Sequence, residues 1–254
     1  MDRSRQAQDF ANDHMSFISL SCGDGWLGTP DSKSDDTLPV DDSLWLRNIV
    51  PIPTATDATL ATSHSIRVGQ FARECQVSNL VGRVLRHMFE PSSDSQFQAD
   101  EALQLERTLM ALMPILMDEQ VQFGKYCAAL GVCTNALFML YGSPEVRAGR
   151  HENCDRDVLS AMKPLSTRIT GFSRRLFGNG EGIDYGTLSP YIPLSLYQAA
   201  VVQSRLYRQT GEYGHGEALL SLKQILGYFN KRWLVAGFYL DALEAEWPVL
   251  LPSR

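Results

Sequence analysis

The sequence is poor in the features that announce a compartment or a chemistry. No apolar stretch reaches the roughly eighteen uncharged residues that a membrane-spanning helix needs. The amino-terminal MDRSRQAQDFANDHM has no apolar core of the kind a secretory signal carries. Together these lead to the expectation of an intracellular, reducing setting with no membrane partner. Cysteine is sparse and scattered, at Cys22, Cys75, Cys127, Cys133 and Cys154. An odd count without a CxxC pair argues against both a disulfide framework and a structural zinc site. Cys127 and Cys133 lie in an apolar stretch and read as buried free thiols. Positive charge is also short: 23 Lys and Arg stand against 29 Asp and Glu, a net charge of −6. Nucleic-acid binding leaves a basic footprint, and this balance points the other way. The longest basic clusters, Arg174–Arg175 and Lys231–Arg232, read as helix ends or solvated faces.

Signature motifs of catalysis are missing too. No HExxH or GxSxG occurs. The glycine-rich GNGEG of residues 178–182 lacks the preceding strand and the Lys-Ser/Thr of a phosphate loop, so it reads as a turn. His151 and Cys154, three apart beside Glu152 and Asp155, make a weak ligand set and a more ordinary solvated turn. His87, on an apolar helical face, reads as a satisfied core histidine. His215, in GEYGHGE, reads as part of a flexible link. Glu101, Glu106 and Arg107 read as an exposed helix face with local ion pairs. The sequence therefore assigns no catalytic residue, no metal ligand and no cofactor, while a catalytic set assembled from distant residues stays open.

What the sequence does have is helical period. Residues 1–62 are rich in Asp, Ser, Thr, Pro and Gly; GTPDSKSDDTLPVDD, residues 28–42, buries too little apolar surface to offset its ordering entropy. This segment is expected to be mostly disordered. Trp26, Leu27, Trp45 and Leu46 stand there among acids, either as an acidic-hydrophobic interaction segment or as anchors docked on the core. From about residue 63 apolar residues recur at three- and four-residue steps. Phe71, Cys75, Leu80, Val84, Leu85 and Met88 mark a first helix, ended by PSSD at Pro91–Asp94, which also offers a cap. Leu103, Leu105, Leu109, Leu112 and Leu116 mark a second from Ala99, with Pro114 as a kink or early turn. Residues 123–141 are apolar nearly all round, as a buried helix is. Val158, Leu159, Met162, Leu165, Ile169, Phe172 and Leu176 share a face over 155–177. Pro190 and Pro193 suit the start of a helix stopping at Gly211. Leu219, Leu222, Ile225, Leu226 and Phe229 follow over 217–229. The last helix, within NKRWLVAGFYLDALEAEWP (230–248), is expected to bury Trp233, Ala236, Tyr239, Leu240 and Leu243, with Gly237 letting a neighbour approach. No strand-like alternation competes. The expectation is an all-α fold: one domain of about seven helices over 63–254, behind a disordered acidic segment, 1–62.

Three stretches, taken in order, resemble one family. SLKQILGYFNKRWLVAGFYLDALE is similar to the end of the regulatory domain of fungal zinc binuclear cluster transcription factors. LSPYIPLSLYQAAVVQSRLYRQTGE looks like that family's Pro-x-x-Pro segment opening a Tyr-Gln-Ala-Ala helix. Residues 80–119, with Cys127 and ALFMLY (136–141), are similar to the domain's helical middle. The resemblance covers about residues 65–247. The family's six-cysteine zinc cluster and basic linker are not in this sequence, where only Cys22 falls within the first seventy residues. The chain therefore looks like the regulatory domain standing alone: a truncated regulator, a fragment of a gene model, or a protein put to another use. The resemblance implies transcriptional control in a fungus, in the nucleus or shared between nucleus and cytoplasm, of a specialised metabolic pathway. It would work through protein partners (the transcription machinery or a full-length regulator) or a small-molecule effector, with no specific DNA binding of its own. The rival reading is a helical small-molecule-binding protein or enzyme of secondary metabolism, its pocket lined by Tyr185, Tyr191 and Tyr197; packing of these tyrosines in the core is the simpler account.

Overall fold

A computed structural model describes residues 33, 35–39, 44, 47, 58–63, 68–90, 94–123, 128–142, 154–178 and 189–246. Among them run seven helices and no strand: α1 (Gln70–Phe89), α2 (Ser95–Phe123), α3 (Ala128–Gly142), α4 (Cys154–Gly178), α5 (Ile192–Thr210), α6 (Tyr213–Asn230) and α7 (Leu234–Glu246). The fold is all-α, as the periodicity predicts. The chain divides into two compact units, Met1–Glu90 and Pro91–Arg254, which places α1 with the amino-terminal segment.

In the first unit, part of the stretch expected to be disordered is paired. Thr37 and Thr59 form an isolated antiparallel bridge. The Leu38 amide donates to the Ala58 carbonyl at 2.7 Å and the Leu60 amide to the Asp36 carbonyl at 3.0 Å. Leu38 is buried. Trp26, Leu27, Trp45 and Leu46 lie outside the described residues. On α1 the inward face is rotated from the expected one. Phe71 is 56% exposed, and Cys75 and Met88 are half-buried, while Ala72, Arg73, Gln76, Val77, Leu80, Val84, Leu85 and His87 are buried. Two polar side chains can go inside because they satisfy each other. Arg73 Nη1 donates to Gln76 Oε1 at 2.7 Å, and Gln76 Nε2 donates to the Thr62 carbonyl at 3.1 Å.

The second unit holds α2 to α7. Asp94 caps α2, its Oδ1 accepting the amides of Gln96 and Phe97 at 3.0 and 3.1 Å, so the helix starts four residues before Ala99. It runs on through Pro114, whose side is exposed, so the Met110 carbonyl that loses its donor need not be buried dry. Leu105, Leu109, Leu112 and Leu116 are fully buried, whereas Leu103 is 43% exposed. α3 is buried almost all round from Ala129 to Tyr141. α5 is the hub and packs on α3, α4, α6 and α7. It begins with Pro193 in its first turn and stops at Gly211, whose φ of 68° lies in the left-handed region that suits glycine, its amide donating to the Tyr207 carbonyl. Ala199 and Ala200, both fully buried, let neighbours come close to the hub.

Candidate functional site

The described part of NKRWLVAGFYLDALEAEWP (230–248) forms the corner between α6 and α7, and α7 itself. Lys231 and Arg232 turn the chain, and the amides of both Arg232 and Trp233 donate to the Phe229 carbonyl. Trp233 therefore precedes α7 rather than starting it. It is half-buried, not a core residue, and the Arg232 guanidinium lies 5.3 Å from its ring centroid. Along α7 the inward face is Ala236, Tyr239 and Leu243, with Leu240 half-buried. Tyr239 stacks on Tyr197 of α5, centroids 4.8 Å apart, and burial pushes its phenol above the ordinary tyrosine range. Gly237 does serve a close approach: a Cβ there would meet Asn230 Oδ1 at 2.6 Å.

The outward face of α7 is the part that periodicity did not single out. Leu234 is 79% and Phe238 60% exposed, and Asp241 and Ala245 are exposed beside them. Steps of four, three and four residues place all four side chains on one narrow stripe, about opposite the buried face. The period picks the inward side, but WLVAGFYL is apolar on both sides, so it does not show that Leu234 and Phe238 stand in water. At the carboxyl end Glu244 pairs with Lys223 of α6 at 3.8 Å.

Buried polar groups make two stitches. At the α3–α5 crossing, Ser195 Oγ lies 2.8 Å from Asn135 Oδ1, and Asn135 Nδ2 donates to the Tyr191 carbonyl at 3.1 Å. The second chain joins three helices. Ser166 Oγ donates to the Ala199 carbonyl at 3.0 Å and accepts from Gln203 Nε2 at 2.8 Å. That orientation turns Gln203 Oε1 towards His215 Nδ1 at 2.7 Å, so this nitrogen carries the hydrogen. His215 Nε2 lies 3.3 Å from Glu212 Oε2, without hydrogen-bond alignment. His215 is thus not in a flexible link: α6 starts at Tyr213, and the imidazole is buried and clamps that start to α5.

Charge is uneven on α4. Its exposed face carries Lys163, Arg168, Arg174 and Arg175, and no acid occurs between residues 158 and 178. Arg175 sits in the last turn, where a cation favours the helix dipole, as its reading as a helix end expects. Lys231 and Arg232 likewise follow the end of α6.

Of the other residues singled out, His87 is buried, Arg107 is exposed, and Glu101 and Glu106 are half-buried on α2. Tyr197 is core and Tyr191 is 48% exposed; Tyr185, GNGEG beyond Gly178, and His151 lie outside the described residues. Cys75 and Cys133 are free thiols, and burial together with the neighbouring Glu74 raises the Cys75 thiol above its usual range. Among the described residues, no three of His, Cys, Asp and Glu converge as a metal ligand set, and no helix is long and apolar enough to cross a membrane. Compared with known protein families, with curated proteins and with solved structures, the chain matches none.

Proposed function

We propose that the chain is a regulator of transcription that works by docking, with the outer stripe of α7 as its working face. The observation that carries the reading is the exposed pair Leu234 and Phe238, held outward by a helix whose other side is anchored by fully buried Ala236 and Leu243. Two large apolar side chains kept in water on a well-anchored helix cost stability, and a protein partner that covers them recovers it. The resemblance to fungal regulatory domains supplies the process, transcriptional control of a specialised pathway in the nucleus, with the transcription machinery, a full-length regulator or a small effector as the other party. Packing of Tyr197 against Tyr239 supports docking over a tyrosine-lined pocket.

The test is to tether the chain to a heterologous DNA-binding module upstream of a reporter gene in a fungal host. A several-fold change in transcript is expected, and it should vanish in Leu234→Glu/Phe238→Glu, a surface change that leaves the helical spectrum and the melt in place. A folded, nuclear fusion that leaves the transcript unchanged overturns the reading.

A further inference from the structure

We infer that the outer face of α4 is a second docking surface, and that its partner is an acidic helix of another protein. The inference stands apart from the α7 reading: it concerns a different helix and a different chemistry.

The placement of charge carries it. Lys163, Arg168, Arg174 and Arg175 are all exposed, and no acid occurs between residues 158 and 178. Among the described residues, none of the four takes part in an ion pair. Arg175 suits the end of a helix, but Lys163 and Arg168 stand in its middle, where the dipole offers a cation nothing. At about 100° per residue the four form two rows. Lys163 and Arg174 share one edge of the exposed face; Arg168 and Arg175 share the other, about 120° round the axis. Between the rows lie Ser160, Pro164, Thr167 and Gly171, all exposed, at steps of four, three and four residues. Leu165, Ile169 and Phe172, on the opposite side, are buried and hold the helix in place.

This pattern selects its occupant. A row of cations on each edge calls for a partner with acids on both of its own edges, as in the flanking positions of paired helices. A second copy of α4 would set cation against cation on both sides, which excludes it. The small centre lets another helix lie close, and its spacing is that of a helix–helix seam. The same centre does not suit base edges, which are read by hydrogen bonds. Pro164 and Gly171 have no side-chain donor or acceptor, and the Thr167 hydroxyl donates to the Lys163 carbonyl at 2.9 Å. The net charge of −6 also disfavours a long polyanion, which must pass the acids elsewhere, whereas a short acidic helix meets only the cations.

Fluorescence anisotropy on the full chain tests it. The probe is a labelled helical peptide of about three heptads, with Leu at position a, Ala at d and Glu at e and g, so that it does not pair with itself. It should bind reversibly at about 0.05 M salt and several-fold more weakly at about 0.2 M. The same peptide with Lys in place of Glu should not bind. Lys163→Glu/Arg174→Glu and Arg168→Glu/Arg175→Glu should each weaken the probe by about tenfold or more, since each reverses one row. Gly171→Leu keeps every charge and improves the helix, yet should weaken the probe several-fold by filling the centre. Leu234→Glu/Phe238→Glu should bind it as the wild type does. A probe still unbound at about 1 mM chain overturns the inference. So does unchanged affinity in Gly171→Leu, which would leave charge alone as the cause. Duplex DNA, or vesicles of phosphatidylcholine and phosphatidylserine, bound through these residues more tightly than the probe would overturn it in favour of a polyanion or a membrane. Binding that appears only once residues 1–62 are removed would overturn it too, since the face would then be covered from within.

Discussion

At the scale of single residues, what matters is where polar groups are buried and what meets them. Gln203 is fully buried and bonded on both sides of its amide, to Ser166 and to His215. Gln203→Ala leaves a buried hydroxyl without its donor and an imidazole N–H without its acceptor. Loss of one such partner costs about 1–3 kcal/mol, so the urea midpoint should fall markedly. His215→Ala should fall by a similar amount, and the double variant by less than the sum, because both remove one link. Additive losses would show that the chain is not a unit. Tyr239 offers a pH readout. Its folded-state phenol keeps its proton to higher pH than in the unfolded chain, since burial disfavours the phenolate. Its contribution is therefore whole below the ordinary tyrosine range near pH 10, and is lost as pH climbs through the folded value. Thermal melts from about pH 9 to 11 should fall more steeply for the wild type than for Tyr239→Phe. Equal slopes would place the alkaline loss elsewhere.

At the scale of elements, the helices were largely legible, and the reasons for the exceptions are specific. α3 could be placed because nothing but a buried environment suits ALGVCTNALFMLY; Asn135 in its midst, which the apolar run hid, bonds to Ser195 and to the Tyr191 carbonyl. The ends of α5 followed from Pro193 and Gly211, residues whose local chemistry does not depend on the rest of the fold; for α2 the cap in PSSD was legible, but the start was set at Ala99, four residues late. The face of α1 was misjudged because hydrophobicity ranks Phe71 above Arg73, whereas burial went to the arginine whose donors found Gln76. On α7 the period picked the buried side, Ala236, Tyr239 and Leu243, but Trp233, also expected inside, is half-buried at the corner, and Leu234 and Phe238 were passed over because the helix is apolar on both sides. The candidate site was thus the least legible part. The glycines give a test of the packing. A Cβ on Gly131 would come within 3.3 Å of the Tyr191 backbone, where α5 starts, and backbone cannot swing aside. Gly171, exposed in mid-α4, has nothing within 4 Å. Gly171→Ala should stabilise by about 0.5–1 kcal/mol through helix propensity alone. Gly131→Ala gains the same propensity but must shift the α5 start, so its melt should lie below the Gly171→Ala melt and below the wild type. On α7, Leu243→Ala empties a fully buried site and should cost about 2–5 kcal/mol. Trp233→Ala, at a half-buried corner, should cost less; the reverse order in thermal melts would restore the tryptophan to the core.

At the scale of the whole molecule, overall charge and local charge disagree. The chain carries a net −6, yet the outer face of α4 presents Lys163, Arg168, Arg174 and Arg175 over about 18 Å of helix, at 1.5 Å rise per residue. At about 0.1 M salt, charges more than about 10 Å away are largely screened, so the face can meet a polyanion despite the acids elsewhere. What it can do there is limited. Four cations neutralise at most four phosphates, which gives a salt slope no steeper than about −3.6 in a log–log plot. Phosphate contacts alone carry no sequence information. We therefore expect duplex DNA to bind weakly or not at all, in the range of about 10⁻⁴–10⁻⁶ M typical of non-specific contacts, without preference for sequence. Any such binding should shrink in Arg174→Ala/Arg175→Ala. Titration of labelled duplexes of unrelated sequence, from about 0.05 to 0.2 M salt, reads both properties at once. A slope well beyond four phosphates would mean that cations outside this face take part; submicromolar affinity that differs between sequences would mean that the chain reads DNA itself, and that the proposed regulation does not depend on docking through α7.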